Sequence, residues 1–468
     1  MFCAAVGMLA AADALEKYQM ARLLFTDTGA FPLNSVRPHR DLVYDFFCLH
    51  AWAQGIFFHT TLAAVHVLVS LLYSITGNAI FGMLTWWLHL SSCIRCPALI
   101  YIFDRYLHLL LLYSICFSIT HNNVRQTKKD LESTVLPVVI ILQLMVIYTD
   151  AGAGKLLDPN RSWRLDASVP ALQTFLQHTP YGARMLAILA MLMPCGLGIR
   201  VAGLLTAWTE VLIVPAYLVA QKMYQRRLCI SIAIIFHGVI ALTMNGTVFL
   251  SAAAITMWIP LWNVTAILPR EASLYRINRT SIFLVLFAIA SVVYQLNGGQ
   301  GPSCGARAGQ GILLRMMLHN RWDVFKTAEE SIVWEIAPAR ISDGSIIDVW
   351  RRTDSVVWEI PQVVARRGRW RALPLIAERD ATADDAFWGG LCDAFQSELD
   401  ADLRYKNSSQ TLLGFHFYLM VADIQGGLAS GCTFRSSESD SCSAGEYTLR
   451  YGPARKRLIR SFSCTSDH

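Results

Sequence analysis

Residues 133–163 read STVLPVVIILQLMVIYTDAGAGKLLDPNRSW, and this stretch decides the class of fold. Its first 17 residues, 133–149, contain no Asp, Glu, Lys or Arg. That length is about the lower limit for a helix that crosses a hydrocarbon core of roughly 30 Å. Asp150, Lys155 and Asp158 follow shortly after it. We therefore expect a membrane-spanning helix that ends at ionisable groups near the surface of the bilayer.

The composition of the whole chain is that of an integral membrane protein. Of its 468 residues, 54% are hydrophobic and 16% are charged, against about 25% charged residues in ordinary soluble domains. Residues 297–468 contain 41 of the 74 charged residues, 20 of them basic and 21 acidic. The net charge of +6 therefore comes from the membrane part, where Lys and Arg mark cytoplasmic loops. For this reason the composition does not support a nucleic-acid partner.

Stretches with few or no charged residues predict about nine membrane crossings within residues 1–297. We expect the chain to start inside the first crossing, whose helix continues towards Leu24; a cleaved signal peptide is the alternative. Two of the stretches are long enough to form hairpins, with turns at residues 76–78 and 245–246. The later crossings are predicted within residues 46–94 (two), 106–124, 133–149, 185–221, 229–269 (two) and 280–297.

Basic residues in alternate short loops predict the orientation of these crossings. They form three groups, and the positive-inside rule assigns such loops to the cytoplasm. The N-terminus is then cytoplasmic, and the C-terminal part lies on the other side of a multi-pass membrane protein. In a eukaryote we expect the endoplasmic reticulum membrane. The three groups are Arg125, Lys128 and Lys129; Lys222, Arg226 and Arg227; and Arg270, Arg276 and Arg279.

The predicted fold class is mostly α, a polytopic membrane helical bundle followed by a small β-rich soluble C-terminal domain. We place the membrane domain at residues 1–297, the soluble α+β domain at 298–425 and a loosely ordered tail at 426–468. The apolar runs SIVWEI, SIIDVW and SVVWEI predict strands, and residues 384–403 predict a helix. Five cysteines lie in this region, so at most two internal disulfides can form there.

Two ionisable residues are unusual for their surroundings. Lys155 follows an apolar run, where desolvation would favour the neutral amine that can act as a base. The alternative is a lysine at a helix end that pairs with Asp158. Glu210 has nine uncharged residues before it and eleven after it, so we expect either a functional role or an ion pair with Arg200 or Lys155.

Asp104, His237 and a pair of cysteines are weaker candidates. Asp104 can form an interfacial ion pair with Arg105, and His237 can be a neutral core histidine. Cys93 and Cys96 form a CxxC motif that a quinone-coupled dithiol could use, although no thioredoxin-like context surrounds it. The other histidines lack the spacing of a di-iron desaturase, and no haem or nucleotide-binding motif is present, so no metal site is predicted.

Several stretches resemble the HTTM family, the membrane domain shared with vitamin K-dependent γ-carboxylase. The resemblance extends in order over most of residues 1–400. In the membrane part it rests on TDTGAFP, TWWLHLSSCIRCPALIYIFDRYLHLLLLY, LQLMVIYTDAGAGKLLDPNRSW, WTEVLIVPAYL and FHGVIALTMNGTVFL. In the C-terminal part it rests on DGSIIDVWRR and RGRWRALPL.

This resemblance implies a carbon-carbon lyase that couples epoxidation of a quinol to carboxylation of glutamate. Its cofactor would be reduced vitamin K or a related lipid quinol, its co-substrates carbon dioxide and oxygen, and its partners the lipid bilayer and a glutamate-containing protein. The catalytic lysine of the family falls on Lys155, with Glu210 and His237 in the pocket. Asp104 stands where the carboxylase has a histidine that supports the base, and an aspartate tends to keep a lysine protonated.

Three hypotheses for the function follow. The first is a carboxylase-like enzyme with Lys155 as base, supported by Asp104, Glu210 and His237. The second is a non-catalytic HTTM membrane protein, a scaffold or a small-solute carrier, which the replacement of the histidine by Asp104 favours. The third is a thiol-quinone oxidoreductase that depends on Cys93 and Cys96.

Overall fold

The structure, a computed structural model, consists mostly of helices, followed by a small antiparallel sheet. It describes residues 1–26, 29, 46–53, 55–96, 100–123, 136–193, 196–244, 246–264, 282–283, 285–287, 289–290, 325, 327–361, 370, 373–374, 385–401, 410–426 and 450–464. The helices are α1 (Phe2–Gln19), α2 (Ala21–Phe25), α3 (Ile56–Thr76), α4 (Ala79–Arg95), α5 (Ile102–Asn123), α6 (Leu136–Leu156), α7 (Ala171–Leu176), α8 (Pro180–Leu192), α9 (Leu197–Val219), α10 (Met223–Thr243), α11 (Val248–Trp258) and α12 (Asp385–Ala401). The strands are β1 (Ser331–Ile336), β2 (Pro338–Ile341), β3 (Ile346–Asp348), β4 (Leu412–Gly426), β5 (Arg450–Tyr451) and β6 (Arg455–Ser463).

Five of the described helices are long and apolar enough to cross a membrane, namely α3, α5, α6, α9 and α10. Shorter apolar segments coincide with α8 and with α11 and its 3₁₀ extension. The chain is therefore a membrane protein built on apolar helices, as its composition predicts. The boundary predicted at residue 297 and most of the last predicted crossing lie outside the described residues.

The predicted hairpin between α3 and α4 is confirmed, and local chemistry explains its turn. Gly77 ends α3 with φ of 61°, a left-handed conformation that glycine adopts without steric strain. The Asn78 side chain then accepts a hydrogen bond from the backbone N–H of Ile80 at 2.9 Å, which caps α4. Two antiparallel apolar helices are thus joined by a turn of only two residues.

The predicted end of α6 is wrong by about two turns. The helix continues from the apolar run through the segment DAGAGKL and ends at Leu156, so Lys155 lies inside it and not beyond it. Alanine and the neighbouring small residues allow the helix to continue, since a single glycine costs only about 1 kcal/mol in a helix. Residues 185–221, predicted as one long tilted or broken crossing, form two helices, because α8 ends at Leu192 and α9 begins at Leu197.

Close packing of α6 against α9 depends on Gly152. A Cβ atom built on Gly152 would lie 2.6 Å from the Val211 side chain and 2.9 Å from the carbonyl oxygen of Ala207. A side chain larger than hydrogen would therefore push the two helices apart. The glycine-rich segment, predicted to follow the end of the helix, is a contact surface between helices, and it brings the residues one turn further along α6 close to α9.

The sheet of the C-terminal part is organised around the long strand β4. Residues 331–340, which include β1 and most of β2, pair antiparallel with residues 423–414 of β4 in one continuous register. β6 pairs with the opposite edge of β4 over residues 414–421, and β3 forms a hairpin with β2. The run SIVWEI forms β1 as predicted, whereas SVVWEI forms no strand among the described residues.

The domain division predicted from composition needs two corrections. We call the described parts of residues 327–464 the tail domain. Its aromatic core between the sheet and α12 also contains Leu23, Leu24 and Phe25 of α2, so the tail domain packs directly on the membrane part. Residues 450–464 are not loosely ordered: β6 pairs with β4, and Cys464 forms a disulfide with Cys392 of α12.

The disulfide should stabilise the tail domain strongly. It joins residues that are 72 apart in the sequence, and closing a loop of that length in the unfolded chain stabilises a fold by about 4 kcal/mol in the chain-entropy estimate. We expect Cys392→Ser and Cys464→Ser to lower the free energy of unfolding by similar amounts in the detergent-solubilised full chain. Denaturant titration followed by tryptophan fluorescence measures this.

The double variant and a free cysteine provide the controls. Replacing both cysteines should cost no more than replacing one, because either change removes the same bond. Cys229→Ser should leave the transition unchanged, since Cys229 is a free, partly buried cysteine. Additive losses in the double variant would contradict the assignment of the bond.

Candidate functional site

The first candidate site is a buried ion pair between α6 and α9. The Lys155 Nζ atom lies 2.6 Å from Glu210 Oε2, and the two side chains are 2% and 7% exposed. Lys155 also donates to the Ala151 carbonyl oxygen at 3.5 Å, and its Nζ atom lies 5.3 Å from the centre of the Trp163 ring. Of the two partners that the sequence offered for Glu210, the structure selects Lys155.

A second hydrogen-bonded group lies beside this pair. The Tyr148 hydroxyl is 2.5 Å from His237 Nε2, and Trp258 Nε1 donates to the same hydroxyl at 3.1 Å. Because the indole N–H can only donate, the tyrosine hydroxyl accepts from Trp258, while the direction of its bond with His237 is set by the tautomer of the histidine. Tyr148 lies seven residues before Lys155 in α6, so the two side chains are on the same face of the helix, two turns apart. We call these five residues, Tyr148, Lys155, Glu210, His237 and Trp258, the lysine site.

Three of the four predicted site residues therefore lie in one neighbourhood, and Asp104 does not join them. Within the described part of the chain, Lys155 forms its ion pair with Glu210. Asp158, the alternative partner, instead accepts hydrogen bonds from Ser162. Asp104 interacts with Lys17 of α1, whose Nζ atom is 3.3 Å from Asp104 Oδ1. The family position that Asp104 occupies thus belongs to a different polar network.

This second network joins α1, α4 and α5. Lys17 Nζ is 2.6 Å from Asp13 Oδ2 and 2.9 Å from Ser92 Oγ. His89 contacts Asp13 through Nδ1 at 3.2 Å and the Asp104 carbonyl oxygen through Nε2 at 3.0 Å. Cys93 Sγ is 3.8 Å from both His89 Nε2 and Asp104 Oδ1. We call the six buried residues, Asp13, Lys17, His89, Ser92, Cys93 and Asp104, the Lys17 cluster.

The spacing of Asp13 and Lys17 in the sequence is the signal from which part of this cluster could be predicted. Asp13 and Lys17 are four residues apart at the end of an apolar helix, a spacing that places an acid and a base on one helical face. His89 lies in the middle of an apolar run, like His237. What the sequence could not provide is the side on which α4 and α5 pack against α1, and this packing brings the six side chains together.

The CxxC motif does not form a disulfide in the structure. Cys93 and Cys96 are both free and buried. Cys96 Sγ lies 2.9 Å from the Leu24 carbonyl oxygen, whereas Cys93 belongs to the Lys17 cluster. The two thiols therefore have different neighbours, and Cys93 lies beside the titratable side chains of His89 and Asp104.

A cavity of about 530 Å³ lies where the membrane helices meet the tail domain. It is lined by Phe175 and His178 on the membrane side and by β1 on the other side. Phe175 stacks against Trp163 at 6.2 Å between ring centres, and Trp163 in turn lies next to Lys155. Two aromatic rings therefore separate the cavity from the lysine site.

The chain matches no protein-family model, no curated protein and no solved structure. The function is therefore argued from the lysine site and its surroundings.

Replacing one residue of the buried ion pair should destabilise the protein more than replacing both. Lys155→Met or Glu210→Gln leaves one partner without its counterpart, at a cost of about 3–5 kcal/mol for a buried pair. The double variant should recover most of this loss, because no unpaired charge stays in the bundle. Thermal unfolding in detergent measures the cycle.

An exposed ion pair is the matched control. Arg161 and Asp166 lie 3.6 Å apart with side chains 64% and 62% exposed, so their cycle should give no more than about 1 kcal/mol. Equal coupling energies for the buried and the exposed pair would show that Lys155 and Glu210 are not buried together.

His178 should make the junction between the two parts sensitive to acid. Its Nε2 atom is 3.0 Å from the Tyr451 hydroxyl, and burial lowers its pKa below the ordinary 6.5. Below about pH 6.5 His178 binds a proton in the unfolded chain but not in the folded protein. The free energy of unfolding is therefore greatest above this pH and decreases as the pH falls. The decrease stops below the lowered pKa of the folded state, where both states are protonated.

The variant His178→Gln keeps a side chain that can hydrogen bond and removes the titration. We expect its melting temperature to fall less than that of the wild type between about pH 8 and about pH 5. His416→Gln, on the exposed face of β4, controls for the loss of a histidine. Parallel pH profiles of wild type and His178→Gln would contradict a contribution from His178.

Proposed function

We propose that this chain is an integral membrane enzyme that resembles vitamin K-dependent γ-carboxylase, with Lys155 as the base that acts on a lipid quinol. The single observation that carries the proposal is the buried pair of Lys155 and Glu210 at 2.6 Å. An ionisable pair inside an apolar bundle is costly and is commonly found where a membrane protein moves protons or ions. The substrates would be a glutamate-containing protein, carbon dioxide and oxygen, which makes the enzyme a carbon-carbon lyase.

The chemistry of the pair fits a proton acceptor. The charged pair and the neutral pair differ by one proton that moves along a single hydrogen bond. In the proposed reaction the neutral form, a lysine amine beside a glutamic acid, is the reactive one. The amine has a free lone pair and can accept the hydroxyl proton of a quinol. Glu210 in this mechanism is the group that stores the proton of Lys155 between turnovers.

The neighbours of Lys155 suit an aromatic, lipid-soluble ligand. Trp163 lies beside the ammonium group, and Tyr148 and Trp258 follow on the bundle side. Flat aromatic surfaces next to one titratable group are what a quinol ring and its hydroxyl require. When bound, reduced vitamin K or a related lipid quinol would supply the oxidation by oxygen that generates the strong base for removal of a glutamate proton. His237, held by Tyr148, would orient the polar side of the pocket.

The proposed topology has about nine crossings, with the N-terminus in the cytoplasm and the tail domain outside it. At the start of α10, Arg226 donates to the carbonyl oxygens of Ala220 and Val264. At its other end, Met244 lines the cavity beside β1. The basic start of α10 therefore lies at the end of the bundle away from the tail domain, which supports this orientation.

The disulfide of the tail domain supports the same orientation. Cys392 and Cys464 are bonded, and disulfides persist mainly in oxidising compartments. In a eukaryotic cell the proposed location of the tail domain is the lumen of the endoplasmic reticulum, with the cavity and the lysine site at the luminal end of the bundle. A glutamate-containing secretory protein would then meet the enzyme on that side.

A non-catalytic HTTM protein, a scaffold or a small-solute carrier, is the second candidate. The observation that favours it is the position of Asp104, which is engaged with Lys17 and does not support Lys155. A carboxylase of this family has a histidine at that position, which supports the catalytic base. A protein without this histidine would have the same fold but would not catalyse the reaction.

Epoxidation of vitamin K hydroquinone by the purified protein in nanodiscs tests the proposal directly, because it requires no knowledge of the protein substrate. We expect epoxide from the wild type and a loss of at least about 100-fold in Lys155→Ala, the usual contribution of a general base. Glu210→Gln should also reduce the rate, since it removes the group that takes the lysine proton.

Lys155→Ala leaves Glu210 buried without its partner, so a second variant separates loss of chemistry from loss of fold. The double variant Lys155→Met with Glu210→Gln restores the charge balance and should be folded and inactive. A well-folded wild type that forms no epoxide would favour the non-catalytic alternative. Full activity in the folded double variant would exclude Lys155 as the base.

A further inference from the structure

We propose that His89, Cys93 and Asp104 form a binding site for a divalent transition-metal ion, with Zn²⁺ as the best match. This site lies in the Lys17 cluster and is independent of the lysine site and of its proposed reaction. One nitrogen, one sulfur and one carboxylate oxygen of the three residues lie within 4.8 Å of one another, and all three residues are buried. The imidazole, thiolate and carboxylate combination is typical of zinc.

The distances between the three ligand atoms are close to those of a tetrahedral site. With Zn–S near 2.3 Å and Zn–N or Zn–O near 2.0–2.1 Å, neighbouring ligand atoms are about 3.3–3.6 Å apart. Cys93 Sγ is 3.8 Å from His89 Nε2 and 3.8 Å from Asp104 Oδ1. The third pair of ligand atoms lies within 4.8 Å, so binding would require the side chains of His89 and Asp104 to rotate towards one ion.

The other side of the histidine is already arranged as in a metal site. His89 Nδ1 lies 3.2 Å from Asp13 Oδ2, in position to donate its proton to the carboxylate. Zinc-binding histidines usually donate their second ring nitrogen to a carboxylate or carbonyl in this way, which fixes the tautomer and orients the ring. Asp13 thus leaves Nε2, the nitrogen that faces Cys93, as the ligand atom, and the ion would replace the present contact of Nε2 with the Asp104 carbonyl oxygen at 3.0 Å.

A cation already lies at the proposed position. Lys17 Nζ is 3.3 Å from Asp104 Oδ1 and 3.9 Å from Cys93 Sγ. Asp13, one helical turn before Lys17, is its closer partner at 2.6 Å and can retain the ammonium group when the metal arrives. The thiol of Cys93 loses its proton on binding, so the thiolate and Asp104 balance the two charges of the ion.

Two further histidines point to a ligand that is not a protein group. His66 Nε2 and His108 Nδ1 are buried and have no hydrogen-bond partner among the described residues. Both rings lie 6.5 Å from the ring of His89, measured between centres. His108 already accepts a hydrogen bond from Trp86 through Nε2. We therefore assign His66 of α3 as the fourth ligand, which moves into position when the ion binds.

The proposed ion would connect the middle of α3, where His66 lies, with the end of α4 and the start of α5. Its ligands come from α3, α4 and α5, and Asp13 adds α1 through His89. Lys17 and Cys93 also line a small cavity together with Leu24 and Phe25. Those two residues belong to the core of the tail domain, so metal binding at this point would stiffen the junction between the two parts.

Cobalt titration of the purified, chelator-treated full chain tests the site. Co²⁺ replaces Zn²⁺ in such sites, and a thiolate ligand gives a charge-transfer absorption band that no other ligand here produces. We expect one equivalent of Co²⁺ to generate the band in the wild type and Zn²⁺ to displace it. Zinc content measured by mass spectrometry before chelation provides the second readout.

The CxxC motif supplies a matched pair of variants. Cys93→Ser should abolish the thiolate band, whereas Cys96→Ser should keep it, because Cys96 Sγ faces the Leu24 carbonyl oxygen. Asp13→Asn should weaken Co²⁺ affinity about 10- to 100-fold, the usual effect of losing the second partner of a ligand histidine. Lys17→Met should tighten binding, because it removes the competing cation.

Three results would overturn the proposal. The first is a folded wild type that contains no zinc and gives no band with Co²⁺. The second is a band that survives in Cys93→Ser, which would place the metal on another cysteine. The third is an unchanged affinity in both Asp13→Asn and His66→Ala, which would mean that the ion does not bind between these helices.

Discussion

A charged side chain inside an apolar helical bundle has to meet a partner of opposite charge, and the membrane part of this protein is arranged by that constraint. Lys155 is paired with Glu210, and Lys17 with Asp13 and Asp104. Each network joins helices that are far apart in the sequence, so neither can form until those helices have packed. The ion pairs thus help to select one arrangement of helices that would otherwise be interchangeable apolar rods.

Which partners meet is decided by the shape of the helices and not by the charges themselves. Gly152 lets α6 approach α9 so closely that a Cβ at this position would clash with Val211. Lys155 follows one turn later and comes within 2.6 Å of Glu210. The close packing of α6 and α9 also excludes water from the pair. In the proposed mechanism, a lysine shielded from water in this way can become a neutral base. Helix packing and the proposed chemistry therefore have a common cause.

The sequence predicted those features that depend on local chemistry. Charge-free runs located most of the membrane helices, Gly77 and Asn78 located a hairpin turn, and SIVWEI located β1. Glu210 was recognised as anomalous because of its uncharged neighbours. What the sequence could not give depends on packing between distant segments: the Lys17 cluster needs α1, α4 and α5 together, and β6 is recognisable as a strand only beside β4. The predicted end of α6 is wrong because Asp150 and the small residues of DAGAGKL are as compatible with a helix end as with close contact between helices.

Both buried networks lie at the end of the bundle that faces the tail domain, and this placement connects them to the rest of the chain. Trp163 lies beside Lys155 and stacks on Phe175, which lines the cavity next to β1. On the other side, Leu24 and Phe25 lie next to Lys17 and enter the core of the tail domain. A movement of the tail domain therefore changes the surroundings of both lysines through one layer of aromatic and apolar side chains. Because an ion pair in an apolar medium depends strongly on its dielectric surroundings, this layer of side chains between the tail domain and the two lysines contributes to the electrostatics of both pairs.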